Sequence, residues 1–283
     1  MLTGQTNLLL GYPRDARLLI INADDFGMYP ANNAGILRAF EAGLVRSTSL
    51  MTNCPGSAQA IGLLKEHPEI PFGIHLTLIR DYQAHPWAPL SPWRLVPSLV
   101  DESGNCYTYD CQDEFLKVAR LDELEVEYRA QIESALSAGL QLTHLDWHCL
   151  ASGGRADVFD MTLGLAKEYG LALRADEPRA IEKLQGLGLP TNDYPLLDSF
   201  RIDTESKPAR FRQLLHDLPS GLSVWAVHPA LGTAQAQSLD PWGWRIRSAD
   251  LDFMTSSAAQ EAIRGEGIVL LNYKTLQEAW RGK

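Results

Sequence analysis

The chain has 283 residues, with 25 Lys+Arg against 35 Asp+Glu and a formal net charge of −10. Hydrophobic residues make up 45% and charged residues 21%, enough apolar side chain to offset chain entropy, so dominant disorder is excluded. The acidic balance argues against a general nucleic-acid binder, which needs a basic face, and no apolar run approaches the ~20 residues that span a bilayer. Cys54, Cys106, Cys111 and Cys149 form no CxxC pair, so neither a zinc ribbon nor a redox motif is indicated. Reduced thiols in a cytoplasmic protein are expected. The first basic residue, Arg14, follows the short apolar stretch near the N-terminus, the wrong order for a signal peptide.

In chain order, 18–23 is a continuous apolar run, as expected of a strand buried on both faces. A helix follows over 30–42, with Pro30 near its start and Gly43 just past its end. Residues 47–51 read as a second strand, 57–66 as a helix closed by His67-Pro68, and 72–78 as a third strand. A Pro- and Trp-rich excursion over 79–119 is too long for an ordinary βα connection and is either functional or mobile. An amphipathic helix over 121–137 ends at Gly139, and 142–147 is a fourth strand followed by a helix over 157–169. Residues 171–174 form a short fifth strand, and 178–203 are poorly patterned. Helix 207–216, strand 221–228, helix 249–264, strand 268–272 and helix 275–280 complete the chain. Repeated βα units imply an α/β fold with a parallel sheet, and about seven in one unbroken chain favour a barrel. With no linker or repeat to divide it, 1–283 reads as a single barrel domain with a long insertion after strand 3, at about 79–120.

In parallel α/β folds, functional groups sit at the carboxyl ends of strands. Strand one ends in Asn22-Ala23-Asp24-Asp25-Phe26-Gly27, strand three carries His75, strand four carries His144, Asp146 and, just beyond, His148, and strand six ends in His228-Pro229. Adjacent Asp24 and Asp25 point to different sides of a regular strand, so one can bind a cation while the other accepts a proton. A helix N-cap or Asx-turn explains them equally well. His75 between Ile74 and Leu76 is either a core histidine or a ligand. His144, Asp146 and His148 share a strand face, and one ligand with a structural histidine bonded to it is favoured over two ligands. His228 is either a general acid or part of a strand terminator. One Asp with two His makes a mixed N/O site suited to a catalytic divalent metal. Nonheme iron oxygenases use the same ligand types, though on a cupin core rather than repeated βα units, so hydrolysis fits better.

The run Asn22-Ala23-Asp24-Asp25-Phe26-Gly27, with Ser47-Thr48-Ser49, Gly73-Ile74-His75-Leu76, Thr143-His144-Leu145-Asp146-x-His148 and His228-Pro229, resembles the YdjC-like carbohydrate deacetylases of the ChbG type. The resemblance runs in order from Leu18 to Tyr273. It implies a distorted (β/α) TIM-like barrel related to the NodB-type polysaccharide deacetylases. It also implies a divalent cation, a homodimer, and hydrolytic removal of an N-acetyl group from an amino sugar in a chito-oligosaccharide. Carried over by position, Asp25, His75 and His148 are the expected metal ligands, Asp24 the base that activates water, His228 the candidate acid, and His144 lies behind the ligands. The resemblance favours Mg²⁺, while an Asp/His/His set also suits Zn²⁺.

Two stretches depart from the family pattern. A histidine-rich run is usual after THLD, where this chain has Trp147-His148-Cys149-Leu150-Ala151-Ser152, and the usual Cys before His-Pro is Val227. Trp87, Trp93, Tyr107, Trp242 and Trp244 in the long loops either stack on sugar rings or close those loops onto the barrel. Two alternatives stay open: a metal-dependent hydrolase of an ester or phosphoester on the same barrel, and a degenerate barrel that binds glycan without turnover.

Overall fold

The structure, a computed structural model, describes residues 3–282. In chain order the elements are α1 (Gln5–Leu9), β1 (Arg17–Phe26), α2 (Pro30–Glu41), β2 (Ser47–Leu50), α3 (Ser57–Glu66), β3 (Phe72–Leu76), β4 (Ile79–Arg80), β5 (Tyr107–Thr108), α4 (Gln112–Val118), α5 (Leu121–Ser137), β6 (His144–Trp147), α6 (Ala156–Tyr169), β7 (Ala172–Leu173), α7 (Pro178–Gly186), β8 (Leu197–Asp198), α8 (Lys207–His216), β9 (Gly221–Val227), α9 (Ala234–Leu239), α10 (Trp244–Met254), α11 (Ser257–Gly265), β10 (Val269–Leu271) and α12 (Tyr273–Arg281).

Seven strands lie in one parallel path, β7-β6-β3-β2-β1-β9-β8, and β10 pairs with the first half of β1. The apolar run of β1 places it centrally, where it pairs with β9 along one edge and with β10 and then β2 along the other. All of β1 after Arg17 is buried.

The sheet curls. Four strand spacings separate β7 from β1, about 19 Å if flat, yet Arg174, just after β7, reaches Asp24 on β1 at 2.9 Å. The two edge strands do not pair, but Leu196 N–H donates to the Asp176 carbonyl at 3.1 Å and Asn192 Nδ2 to the Ala175 carbonyl at 2.7 Å. The result is a half-barrel whose open seam is drawn together by the segments flanking β7 and β8. Helices cover its outer face, and α12 packs against β6 and β7, with Gln277 donating to the Leu142 and Gly170 carbonyls.

Gly73 is required by close approach, since a Cβ there would lie 2.4 Å from the His144 carbonyl oxygen and 2.6 Å from its ring. The long insertion is anchored rather than loose. Its Leu90 and Ser91 amides donate to the Glu127 carboxylate of α5, and Ser98 donates to Glu123. Trp87 is fully buried within it, and β4 and β5 form a small parallel ribbon.

Several boundaries differ from the sequence reading. The expected helix over 249–264 is two helices, α10 and α11, because the Ser256 hydroxyl accepts from the Ala259 amide and starts a new one. The region over 178–203 contains α7, which begins at Pro178, and the two-residue β8. β3 stops at Leu76 rather than residue 78. All four cysteines are free, and among the described residues no helix is long and apolar enough to cross a membrane.

Candidate active site

The carboxyl end of β1 departs from regular strand geometry. Its pairing with β2 shifts register between Ala23 and Phe26, and Asp25 adopts φ 70°, a left-handed conformation that costs a non-glycine residue on the order of 1–3 kcal/mol. This bulge corrects the expectation that adjacent carboxylates face opposite sides. Both reach His75: its Nε2 lies 3.3 Å from Asp25 Oδ1 and 3.9 Å from Asp24 Oδ2.

Asp25 Oδ1 also accepts from His148 Nδ1 at 3.2 Å, so Asp25, His75 and His148 converge from β1, β3 and the end of β6. Their donor atoms lie within 4.8 Å of one another, and all three residues are buried. The far nitrogen of each ring is held by a carboxylate, His75 Nδ1 by Asp146 at 2.8 Å and His148 Nε2 by Asp81 at 2.8 Å. A carboxylate behind a histidine is the usual way to orient an imidazole toward a metal.

A second layer lies beneath. Ser49 donates to Asp146 Oδ2 at 2.6 Å, and Asn22 Nδ2 donates to Asp24 Oδ1 at 2.7 Å and to the Ser49 hydroxyl at 2.8 Å. His144 lies 3.1 Å from the Ser49 hydroxyl and stacks on Tyr273 with ring centroids 3.7 Å apart. It shares a face with Asp146 but contacts no member of the Asp25/His75/His148 group, so it supports the layer behind them. Burial lowers its pKa, which favours the neutral ring.

Two buried arginines balance the carboxylates. Arg174 Nη1 lies 2.9 Å from both Asp24 oxygens and 3.0 Å from Asp146 Oδ2. Arg247, from α10, donates to Asp25 Oδ2 at 2.6 Å and to Asp240 Oδ2 at 2.8 Å, with Asp81 3.7 Å away. Burial opposes ionisation of Asp25, but Arg247 and the hydrogen bonds from His148 and His75 hold its carboxyl well below the usual range. Burial likewise disfavours a charged His75, yet Asp146 and Asp24 outweigh it and push the ring up to about 9. His148 is raised too, with Cys149 and Asp81 overcoming burial.

His228 stands across the cleft at the end of β9. Its Nδ1 lies 3.1 Å from the Ser199 hydroxyl and its ring meets Phe200 edge-on at 5.2 Å. The cleft has a volume of about 840 Å³, and Asp24, Asp25, His75, His148 and His228 all line it.

The three donor atoms suit a divalent ion. Bonds of about 2.1 Å place neighbouring donors about 3.0 Å apart in octahedral and about 3.4 Å apart in tetrahedral geometry. The two His–Asp25 separations, 3.2 and 3.3 Å, fall between those values. Asp146 also groups with Asp24 and His75, but its oxygens are taken by Ser49, His75 and Arg174.

A family model described as YdjC-like protein matches residues 18–265. The chain belongs to the YdjC-like family. It is 40% identical to a carbohydrate deacetylase of Geobacillus stearothermophilus over 91% of this chain and 97% of that protein. It is 27% identical to a chitooligosaccharide deacetylase of Serratia marcescens over 92% of this chain and 99% of the other. Among solved structures, one from Enterococcus faecalis V583, described as a proposed cellobiose-phosphate cleavage protein, superposes with TM-score 0.79 and 30% identity, covering 92% of this chain and 99% of its own.

Within this YdjC-like site, sequence reasoning missed Arg174, Arg247 and Asp81. Arg174 directly follows the two-residue β7 and Asp81 the two-residue β4, so strand-end position was the available signal for both. Nothing in the α10 sequence marks Arg247. The aromatic residues divide. Trp87 is fully buried 5.9 Å from the His148 ring, and Tyr107 packs on Phe115. Trp242 lines the cleft and is 80% exposed, whereas Trp93 is exposed away from it.

Proposed function

We propose that this chain is a metal-dependent deacetylase that hydrolyses the N-acetyl group of an amino sugar within an oligosaccharide such as a chito-oligosaccharide. The observation that carries the reading is the convergence of Asp25, His75 and His148, with each imidazole backed by a carboxylate, beside a second carboxylate at Asp24. The similarity to a carbohydrate deacetylase and a chitooligosaccharide deacetylase supports the substrate class.

On this reading Asp25 Oδ1, His75 Nε2 and His148 Nδ1 hold a divalent ion, with Mg²⁺ favoured over Zn²⁺ by the family resemblance. When bound, the ion supplies Lewis acidity to the acetyl carbonyl and to the attacking water. Asp24 accepts the proton of that water through Oδ2, whose partner is Arg174; Oδ1 is occupied by Asn22 as well. Arg174 holds Asp24 in place while leaving its second oxygen turned toward His75. His228, on the opposite wall, donates a proton from its ring to the departing amine, so the product leaves as a neutral or protonated amine rather than an amide anion. Trp242 offers a flat apolar face at the mouth for a sugar ring. The whole chain acts as one barrel domain, working in the cytoplasm.

The test is acetate release from N-acetylated chito-oligosaccharides, with a free amine appearing on the sugar and chelator abolishing both. A second reading, cleavage of a phosphorylated disaccharide, is favoured only by the description of the E. faecalis structure. A phosphorylated disaccharide split into a monosaccharide and a monosaccharide phosphate, with no acetate released from N-acetylated sugars, would establish that reading in place of ours.

A further inference from the structure

Behind His228 lies a buried polar chain outside the metal-ligand group. Asp250 of α10 is fully buried and takes three donors: the Ser199 hydroxyl through Oδ2 at 2.5 Å, the His228 backbone amide through Oδ2 at 2.9 Å, and Lys207 Nζ through Oδ1. Lys207, at the start of α8, is itself fully buried and also donates to the Ile246 carbonyl at 3.1 Å. A charged pair removed from water costs stability unless good geometry and further hydrogen bonds offset it, and here Lys207 has two acceptors and Asp250 three donors. Ser199 is fully buried just after β8, and its amide extends the ladder by donating to the Ala226 carbonyl at 3.0 Å.

A hydroxyl has one proton and two lone pairs. The carboxylate of Asp250 can only accept, so the Ser199 proton points at Asp250. The contact of 3.1 Å between Ser199 Oγ and His228 Nδ1 must then be an Nδ1–H donating to oxygen. With Nδ1 carrying the proton, a neutral His228 presents Nε2 as its lone-pair nitrogen, and Nε2 has no protein partner among the described residues. The ring is also fixed laterally by the edge of Phe200.

We propose that Ser199 is a positioning residue for His228: by donating to Asp250 it obliges the imidazole to keep its proton on Nδ1, so that Nε2 is the atom that takes up and delivers a proton in the cleft. The importance of this for turnover rests on the acid role assigned to His228 above, but the location of the proton does not. Lys207 and Asp250 act as the fixed end of the chain, and Ser199 transmits their orientation to the ring across a gap too long for a direct bond, with His228 Nδ1 4.0 Å from Asp250. Loss of an orienting group behind a proton-transfer histidine lets the wrong tautomer form and lowers kcat rather than substrate affinity.

The experiment uses histidine-selective ¹⁵N labelling of the full chain, with the His228 signals identified by their loss in His228→Gln. At alkaline pH the wild type should show a single Nδ1–H tautomer for His228. Ser199→Ala should show a mixture, with kcat reduced roughly 10–100-fold and KM within about twofold. Ser199→Thr, which keeps the hydroxyl, should return both the tautomer and most of kcat. A Ser199→Ala protein that retains a pure Nδ1–H tautomer would overturn the proposal, as would one that loses kcat with no change in the ring signals. If wild type releases no acetate from any N-acetylated sugar, the functional reading fails, while the ring signals still decide where the proton sits.

Discussion

Arg247 offers the most demanding test of how charge is balanced in the site. It is 3% exposed and bonds to Asp25 at 2.6 Å and Asp240 at 2.8 Å, with Asp81 at 3.7 Å. Arg247→Met keeps most of the buried volume but leaves three acidic groups with no guanidinium among them. Removing one partner of a buried ion pair costs about 3–5 kcal/mol, because the remaining charge is stranded in low dielectric. At about 2 °C per kcal/mol for a chain of this size, melting should fall by about 6–10 °C in the presence of chelator. On the proposed reading a divalent ion at Asp25 would supply the missing positive charge, so saturating metal should raise the melting temperature of Arg247→Met by more than it raises that of wild type. Differential scanning calorimetry with and without chelator measures both quantities. A variant that melts within 2 °C of wild type in chelator, or gains no more from metal than wild type does, would refute this account of the charge balance.

Other outcomes follow from the same geometry. Asp24→Asn should retain bound metal, since Asp24 Oδ2 stands 3.9 Å from His75 and outside the ligand group, yet lose kcat by about 10²–10⁴-fold; paired metal and kinetic assays check this. In metal-free protein, His75 is raised from 6.5 to about 9. That stabilisation, on the order of 3 kcal/mol, is fully present below pH ~6.5 and lost as pH rises through ~9. Urea unfolding in chelator should therefore show declining stability across that window, and His75→Gln should flatten the decline. Trp242→Ala should raise KM about 2–10-fold for an oligosaccharide with kcat unchanged, reflecting about 0.5–1.5 kcal/mol of ring stacking. An unchanged KM would remove Trp242 from the sugar site.

The parts of the site that were legible in the sequence are those fixed by strand ends. The apolar run before Asp24 reads as a buried parallel strand, His75 sits one residue before the end of β3, and His148 and His228 directly follow β6 and β9. The two arginines were illegible for a physical reason. Arg174 meets Asp24 only because the sheet curls across four strand spacings, and Arg247 reaches Asp25 from a helix 222 positions away in sequence. Local periodicity carries no information about either pairing. The bulge that turns Asp24 and Asp25 to the same imidazole was likewise invisible, because it depends on one residue, Asp25, adopting a left-handed conformation that strand periodicity does not signal. Boundaries were lost where elements are short: β8 has two residues, and the junction of α10 and α11 is marked only by the capping hydroxyl of Ser256.

The central claim is that one site, built by Asp25, His75 and His148, holds the ion on which acetate release depends. The most direct measurement scores bound divalent ion and acetate released on the same samples of wild type, Asp25→Ala and His75→Ala. The account predicts that wild type binds metal and releases acetate, and that both variants lose the two together. Metal retained in both variants, or acetate still released by either, would contradict it.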